Sequence, residues 1–124
     1  MGGHILIVED NPIDLKLASE LLKAHGYQVE GAADAEEALR VMSYRMPDLV
    51  LTDIALPGMD GLSFTRKLKA DERFRHVPVI VLTAFAMRGD EERAVAAGCQ
   101  GYIVKPIDVH TFAAQIAELL RPGS

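Results

Sequence analysis

The amino-acid sequence predicts an α/β fold with a central five-stranded parallel sheet and helices on both faces. The main observation is that short apolar runs alternate with amphipathic segments five times along the 124 residues. Uninterrupted apolar runs, such as residues 49–51, are typical of strands that are buried on both faces. Because short connections between such elements imply right-handed crossovers, we expect helices to cover both sides of the sheet.

The first strand and helix are predicted close to the amino terminus. Residues 5–8 form a continuous aliphatic run that ends in Glu9 and Asp10. Asn11 followed by Pro12 is typical of a helix N-cap with proline in the first turn. The residues predicted to line the inner face of this helix, before Gly26 ends it, are Ile13, Leu17, Leu21, Leu22 and Ala24.

The remaining units repeat this order. A weaker strand at residues 29–33 contains Glu30 and Gly31, which favours a position near the sheet edge, and Asp34 is predicted to cap the next helix. The other strands are predicted at residues 49–51, 77–82 and 101–104. The helices that follow them are predicted after residue 61, from residue 89 to Gly98, and after the cap Asp108.

Composition excludes several classes of function. The net charge is −5 and no basic run is present, so we expect no nucleic-acid-binding surface. The single Cys99 excludes an intramolecular disulfide and favours a reducing compartment. No apolar run could span a bilayer, and the chain does not begin with a signal-peptide pattern. We therefore expect one cytoplasmic domain over residues 1–124, with its core at about 4–121.

Polar residues stand at the ends of four predicted strands. Glu9 and Asp10 follow the first strand, Asp53 ends the third, Thr83 the fourth and Lys105 the fifth. Because the carboxyl ends of parallel strands meet at one edge, these residues are expected to converge. Carboxylates that are forced together need a cation, and hard oxygen ligands favour Mg²⁺. An aspartate with a metal, a lysine and a hydroxyl forms a phosphoryl-accepting site.

Each of these residues also has a simpler structural explanation. Glu9 and Asp10 could be acids that cap the first helix, although Asn11 already serves as its cap. Thr83 could be an ordinary β-branched strand residue, and Lys105 a solvated surface lysine. Their coincidence at one sheet edge favours the functional interpretation.

Five short motifs, taken in order, resemble the receiver domains of two-component response regulators. The motifs are VED at 8–10, DLVLTD at 48–53, LPGMDG at 56–61, LTA at 82–84 and KP at 105–106. The resemblance covers essentially the whole chain. It implies a flavodoxin-like fold with strand order 2-1-3-4-5, in which Asp53 accepts a phosphoryl group.

The resemblance also implies roles for the other site residues. The residues implied to bind Mg²⁺, for which Mn²⁺ could substitute, are Asp10 and Asp53 directly, Glu9 through water, and Ala55 through its backbone carbonyl. Lys105 would contact the acyl phosphate, and its peptide bond to Pro106 would be cis. Thr83 and Tyr102 would form a switch pair, although a core aromatic is a serious alternative explanation for Tyr102.

The implied partners are a histidine kinase or a histidine phosphotransfer protein as donor, and a downstream protein target. Phosphorylation would change the face of the fourth helix, fifth strand and fifth helix, in a monomer or weak dimer that binds neither nucleic acid nor membrane. Residues 83–93 are similar to single-domain regulators of the DivK-like kind, and related segments occur in receivers of larger proteins, so a stand-alone regulator and an excised receiver both stay open. Ala55 and Phe85 offer no polar group to an attacking water, so we expect slow self-dephosphorylation.

Two rival functions stay open at this point. One is a metal-dependent phosphohydrolase with an aspartyl nucleophile, although such enzymes commonly need a second acid where Ala55 stands. The other is a pseudo-receiver that is never phosphorylated, which the full set of acids, Thr83 and Lys105 argues against. As a receiver, the chain is expected to have no enzymatic activity beyond its own phosphorylation and dephosphorylation.

Overall fold

The computed structural model describes residues 3–84 and 89–120. Within them, five strands alternate with five helices. The strands are β1 (His4–Val8), β2 (Gln28–Ala32), β3 (Leu49–Asp53), β4 (Val79–Thr83) and β5 (Gly101–Val104). The helices are α1 (Pro12–Lys23), α2 (Ala35–Tyr44), α3 (Gly61–Ala70), α4 (Asp90–Ala97) and α5 (Phe112–Leu120). In this part of the chain, no helix is both long and apolar enough to cross a membrane.

The five strands form one parallel sheet in the order β2-β1-β3-β4-β5, which confirms the predicted topology. The weak strand β2 lies at an edge, as its Glu30 and Gly31 indicated. The aliphatic strands β1 and β3 lie side by side inside the sheet. Because the strand order reverses between them, the crevice of this fold opens at their carboxyl ends.

Alternate residues of each central strand supply two separate cores. On β1, Leu6 and Val8 are buried against residues of α2, α3 and α4. Ile5 and Ile7 point to the opposite face and are buried against residues of α1 and α5. Each buried aliphatic side chain contributes about 1.5–3 kcal/mol. Burial on both faces explains why the central strands carry uninterrupted apolar runs.

The buried face of α1 differs from the prediction. Ile13 and Leu17, which are predicted to face inward, are 78% and 39% exposed, whereas Leu22 is buried as predicted and Ala18, which is not among the predicted residues, is buried with it. Both pairs have the i, i+4 spacing of a helical face, so α1 carries two apolar stripes. Packing of α1 against β1, β2 and α5 buries the second stripe and leaves the first at the surface.

The predicted caps are confirmed for α1 and α2, where Asn11 and Asp34 accept backbone N–H groups. Gly98 ends α4 with a φ of 105°, as expected of a residue in the left-handed region. Asp108 also serves as a cap, because its Oδ1 accepts the N–H of His110 at 2.9 Å in the turn that leads into the last helix. The carbonyl of Asp108 accepts the N–H of Phe112, and the residues between them form turns, so α5 begins at Phe112.

Candidate functional site

The residues predicted from the strand ends lie at the carboxyl edge of the sheet. Asp53 ends β3, Thr83 ends β4, and Lys105 comes directly after β5. Glu9 and Asp10 follow β1, the neighbour of β3. The parallel register brings together groups as far apart in sequence as Glu9 and Lys105, whose side chains are hydrogen-bonded. The predicted convergence is therefore a property of the folded chain.

The ammonium group of Lys105 is the centre of this site. Its Nζ donates hydrogen bonds to Glu9 Oε1 at 2.6 Å, Asp53 Oδ2 at 2.7 Å and Asp14 Oδ2 at 3.0 Å. A lysine ammonium has three protons, and three acceptors can engage all of them. The side chains of Lys105 and Asp53 are only 11% and 9% exposed, so water competes weakly for these contacts. Charge-assisted hydrogen bonds of this kind are stronger than neutral ones.

The carboxylates around Lys105 keep it positively charged. Burial by itself would lower the pKa of this ammonium, but the hydrogen bonds to Asp53, Glu9 and Asp14 outweigh burial and raise it. Lys105 is therefore a permanent cation at neutral pH. A point charge beside Asp53 is suited to bind an oxygen of a phosphoryl group.

Glu9 is a buried acid whose charge is only partly compensated. Burial raises the pKa of its carboxyl; hydrogen bonds from Lys105 and the Asn11 N–H oppose the rise, and the negative charge of Asp53 adds to it. Around one ammonium stand three carboxylates, those of Glu9, Asp14 and Asp53. When all three are ionised, this group is net negative and attracts a further cation.

Two hydrogen bonds orient the Asp53 carboxylate. Oδ1 accepts the N–H of Ala55 at 3.0 Å, while Oδ2 accepts the Lys105 ammonium. The backbone is also held, because the N–H of Gly61 donates to the carbonyl of Ile54 at 2.8 Å. A side chain at Gly61 would collide with the Asp53 carbonyl oxygen, so the first turn of α3 can approach β3 only with glycine there.

The donor atoms at this edge suit a hard cation such as Mg²⁺. Glu9 and Asp53 are buried carboxylates, and the exposed Asp10 is their neighbour at the strand ends. Mg²⁺ prefers such oxygen ligands and usually takes one or two carboxylates together with waters. Within residues 3–84 and 89–120, no three acidic, histidine or cysteine side chains are already grouped to hold a metal. The predicted set of Asp10, Glu9, Asp53 and the Ala55 carbonyl fits the ion by its chemistry and stays a prediction.

Thr83 and Tyr102 lie on the face of the sheet that α4 covers. Thr83 is buried at the end of β4, and Tyr102 lies on β5 opposite Val81. The Tyr102 ring packs against the core of this face, but its hydroxyl is buried without a hydrogen-bond partner in the described part of the chain. Burial raises the pKa of this phenol. Tyr102 is thus a half-buried aromatic packed against this core, and its role as a switch stays a prediction.

Sequence reasoning missed the contribution of Asp14. An acid in the first turn of a helix is ordinarily explained by the helix dipole, so its type and position alone do not point to a site. The available clue was its place one turn beyond Glu9 and Asp10, at the start of the helix that leaves the sheet edge. Only the approach of Lys105, 91 residues away, gives Asp14 a partner in the site.

Two further expectations concern the surroundings of the site. The peptide bond between Lys105 and Pro106 is cis, as the resemblance implied. Ala55 is exposed, and its side chain has no polar group that could orient an attacking water. Phe85 lies outside the described residues, so the expected slow dephosphorylation stays a prediction.

Comparison with known proteins gives a family for this site. The family model of the response regulator receiver domain matches residues 5–117. The polar-differentiation response regulator DivK of Brucella ovis is 47% identical over 120 residues, which cover 97% of this chain and 98% of that protein. The family-model match therefore includes every residue of the candidate site.

Solved structures show that the similarity includes the three-dimensional fold. The receiver domain of a sensor histidine kinase from Pseudomonas aeruginosa PAO1 is 38% identical, with a TM-score of 0.82 over 97% of this chain and 95% of that one. That structure is described with a magnesium ion coordinated in the active-site cleft. The chemotaxis response regulator CheY4 of Vibrio cholerae is 26% identical, with a TM-score of 0.89 over 96% of this chain and 99% of that one. Both likenesses agree with a flavodoxin-like fold.

Proposed function

Because the chain belongs to the receiver-domain family of response regulators in two-component signalling, we propose that it is a phosphorylation-dependent switch whose acceptor is Asp53. One observation carries the proposal. The Asp53 carboxylate is nearly buried and is held between the Lys105 ammonium at 2.7 Å and the Ala55 N–H at 3.0 Å. An oriented carboxylate beside a permanent cation is suited to attack phosphorus. The domain is a signalling domain rather than a classical enzyme.

In the proposed reaction, a carboxylate oxygen of Asp53 forms a bond to the phosphorus of a phosphohistidine. The phosphorus–nitrogen bond of the donor breaks, and its electron pair stays on the imidazole nitrogen. Asp53 reacts as the ionised carboxylate, so it has no proton to lose. Lys105 then binds one oxygen of the acyl phosphate, and the Thr83 hydroxyl donates to another. Positioning and charge stabilisation supply most of the catalysis in phosphoryl transfer.

Mg²⁺, when bound, would neutralise charge on the phosphoryl oxygens and on the acids of the site. The residues that would hold it are Asp10 and Asp53 directly, Glu9 through water, and Ala55 through its carbonyl. Three carboxylates around a single ammonium support this assignment, because they leave negative charge to be balanced. The magnesium described for the Pseudomonas receiver domain supports it further.

The proposed donor surface is the apolar strip of α1 formed by Ile13 and Leu17. Both side chains are substantially exposed, and a groove of about 430 Å³ is lined by Leu17, Lys105 and Ile107. Asp14 lies between the two apolar residues in sequence and contacts Lys105, so the strip borders the site. A helix of a histidine kinase or phosphotransfer protein, packed on this strip, would bring its phosphohistidine towards Asp53.

The proposed output surface is the face of α4, β5 and α5. A groove of about 600 Å³ there is lined by residues that include Tyr102, Gln115 and Leu119. Movement of Thr83 towards the phosphoryl group would free volume on the Tyr102 side of the sheet. The Tyr102 hydroxyl, which has no partner among the described residues, is not held by a hydrogen bond against such a shift. A downstream protein that prefers one of the two packings would sense phosphorylation as a population shift.

Labelling with radioactive acetyl phosphate and Mg²⁺ tests the proposed function. The wild-type protein is expected to incorporate a single phosphoryl group per chain, and chelation of Mg²⁺ to prevent it. Asp53→Asn is expected to abolish labelling, because an amide is a poor nucleophile. Asp48→Asn is the matched control, since Asp48 precedes the other end of β3 and binds the His4 N–H.

Two results would contradict the proposed function. Labelling that persists in the Asp53→Asn protein would exclude Asp53 as the acceptor. Continuous hydrolysis of small phosphate esters by the wild-type protein would favour the phosphohydrolase instead. Loss of labelling in the Asp48→Asn control would indicate a general effect of substitution on the fold.

A further inference from the structure

Asp14 is the one partner of Lys105 that the proposed mechanism does not use. It lies in the first turn of α1, with Oδ2 3.0 Å from Nζ of Lys105. Its side chain is 37% exposed, whereas those of Glu9 and Asp53 are 3% and 9% exposed. Asp14 is therefore the contact of Lys105 that solvent and other groups can reach most easily.

The geometry sets up a competition for the Lys105 ammonium. All three of its protons have carboxylate acceptors in the unphosphorylated protein. A phosphoryl oxygen can be bound only if one of these contacts is released or shared. While Asp14 accepts a hydrogen bond from Lys105, the ammonium is partly neutralised by a residue of α1. It is then less available to a phosphoryl oxygen beside Asp53.

The charge of Asp14 acts in the same direction. Together with Glu9, Asp10 and Asp53 it makes a fourth carboxylate at this edge, against the single ammonium of Lys105. An incoming phosphoryl donor is anionic, so each uncompensated carboxylate repels it. The same carboxylate attracts a divalent cation. Removal of Asp14 should therefore have opposite effects on the approach of an anion and on the binding of Mg²⁺.

We propose that Asp14 is a positioning residue that restrains Lys105 in the unphosphorylated protein and so slows acceptance of a phosphoryl group by Asp53. This inference rests on the proposed function of Asp53. The contact is made by α1, which is not part of the proposed output surface. It therefore restrains Lys105 without any change at that surface. It acts through Lys105 and does not touch the reacting atoms.

The test compares Asp14→Ala with Glu20→Ala, which removes an equal charge from an exposed position of the same helix. In Mg²⁺-free, unphosphorylated protein, hydrogen exchange of the Lys105 ammonium, followed by ¹⁵N NMR, is expected to be about threefold faster in Asp14→Ala. At saturating Mg²⁺, labelling by acetyl phosphate is expected to be about threefold faster. Mg²⁺ affinity, measured by titration, is expected to fall. Glu20→Ala is expected to match the wild type in all three measurements.

A merely structural role for Asp14 would give a different set of results. Damage to the fold would slow labelling and weaken Mg²⁺ binding together, whereas the proposed restraint makes labelling faster as Mg²⁺ binding weakens. Asp14→Asn is expected to be intermediate, since the amide removes the charge but keeps an acceptor for Lys105.

Two results would overturn the inference: unchanged ammonium exchange, or a labelling rate in Asp14→Ala no faster than that of Glu20→Ala. Either result would do so even if Asp53 were labelled normally. Failure of the wild-type protein to be labelled would count against the proposed function instead. In that case the ammonium exchange alone would decide whether Asp14 holds Lys105.

Discussion

Single residues of this site owe their properties to the balance between burial and charge. Lys105 and Glu9 are both poorly exposed, yet burial has different outcomes for them. Lys105 has three carboxylate partners, which raise its pKa despite burial. Glu9 shares one ammonium with other acids, so burial prevails and raises its pKa. An ammonium that stays charged can bind a phosphoryl oxygen. Acids beside it whose negative charge is only partly compensated can bind a metal cation.

The buried hydroxyl of Tyr102 is expected to destabilise the unphosphorylated protein. This hydroxyl has no partner among the described residues, and an unsatisfied buried polar group costs free energy. Tyr102→Phe removes the hydroxyl and keeps the packed ring. We expect the free energy of unfolding to rise by about 1 kcal/mol, as measured by urea denaturation of the unphosphorylated protein.

Tyr102→Leu serves as the comparison for this prediction. It removes the aromatic packing as well as the hydroxyl and is expected to lower the free energy of unfolding. A clear loss of stability in Tyr102→Phe would mean that the hydroxyl has a stabilising partner, and it would weaken the argument that this residue is free to move.

Among the elements, the connection from β3 to α3 determines how Asp53 is held. Asp60 caps α3 by accepting the N–H groups of Leu62 and Ser63, each at 2.9 Å. Gly58 has a φ of 80°, in the left-handed region, and has open space around it. Gly61 instead lies against the Asp53 backbone. The two glycines of this loop are thus required for different reasons, one for its backbone angle and one for a close approach.

Alanine substitutions can separate these two requirements. Gly61→Ala is expected to lower the free energy of unfolding by about 3 kcal/mol, because the new methyl group collides with the Asp53 backbone. It is also expected to reduce labelling of Asp53 by acetyl phosphate, since the acceptor must shift. Urea denaturation and the labelling assay give the two readouts.

Gly58→Ala is the matched control within the same loop. It is expected to cost about 1–2 kcal/mol for the left-handed backbone, with little effect on labelling. Equal loss of labelling in the two variants would show that the loop as a whole, rather than the contact of Gly61 with Asp53, positions the acceptor.

The proposed donor and output surfaces are formed by different elements around the central sheet. The core under α1 and α5 and the core under α2, α3 and α4 lie on opposite faces, and the candidate site lies where both meet the carboxyl edge. The exposed strip of Ile13 and Leu17 is on the α1 side, while Tyr102 packs against the other core. Donor and target proteins could therefore bind different parts of the surface around the same acceptor.

Ile13→Glu tests the proposed donor surface on α1. A charge in the middle of the apolar strip is expected to reduce phosphotransfer from a histidine kinase that phosphorylates the wild-type protein by about tenfold, because a desolvated charge opposes docking. Labelling by acetyl phosphate is expected to fall much less, since a small donor does not use the strip and meets only the repulsion of the added charge. The ratio of the two rates is the measurement.

Val95→Glu is the matched control, because Val95 is also exposed but lies on α4. It is expected to leave both rates close to those of the wild type. If Val95→Glu impaired transfer from the kinase and Ile13→Glu did not, the donor surface would lie on α4 rather than on α1.

The alternation of elements, the edge position of β2 and the convergence of Glu9, Asp53, Thr83 and Lys105 at the strand ends follow from the amino-acid sequence. These features depend on local periodicity and on a general property of parallel sheets, so they can be predicted without knowing any particular contact. The motifs added the strand order and the cis bond before Pro106, both of which the structure has.

Three features depend on tertiary packing: the apolar stripe of α1 that is buried, the contact of Asp14 with Lys105, and the position of Gly61 against Asp53. Each of these depends on how two elements distant in sequence are docked. The two stripes of α1 have the same periodicity, and an acid in a first helical turn looks the same with or without a lysine beside it. Packing decides between such alternatives because it brings together elements that are distant in sequence.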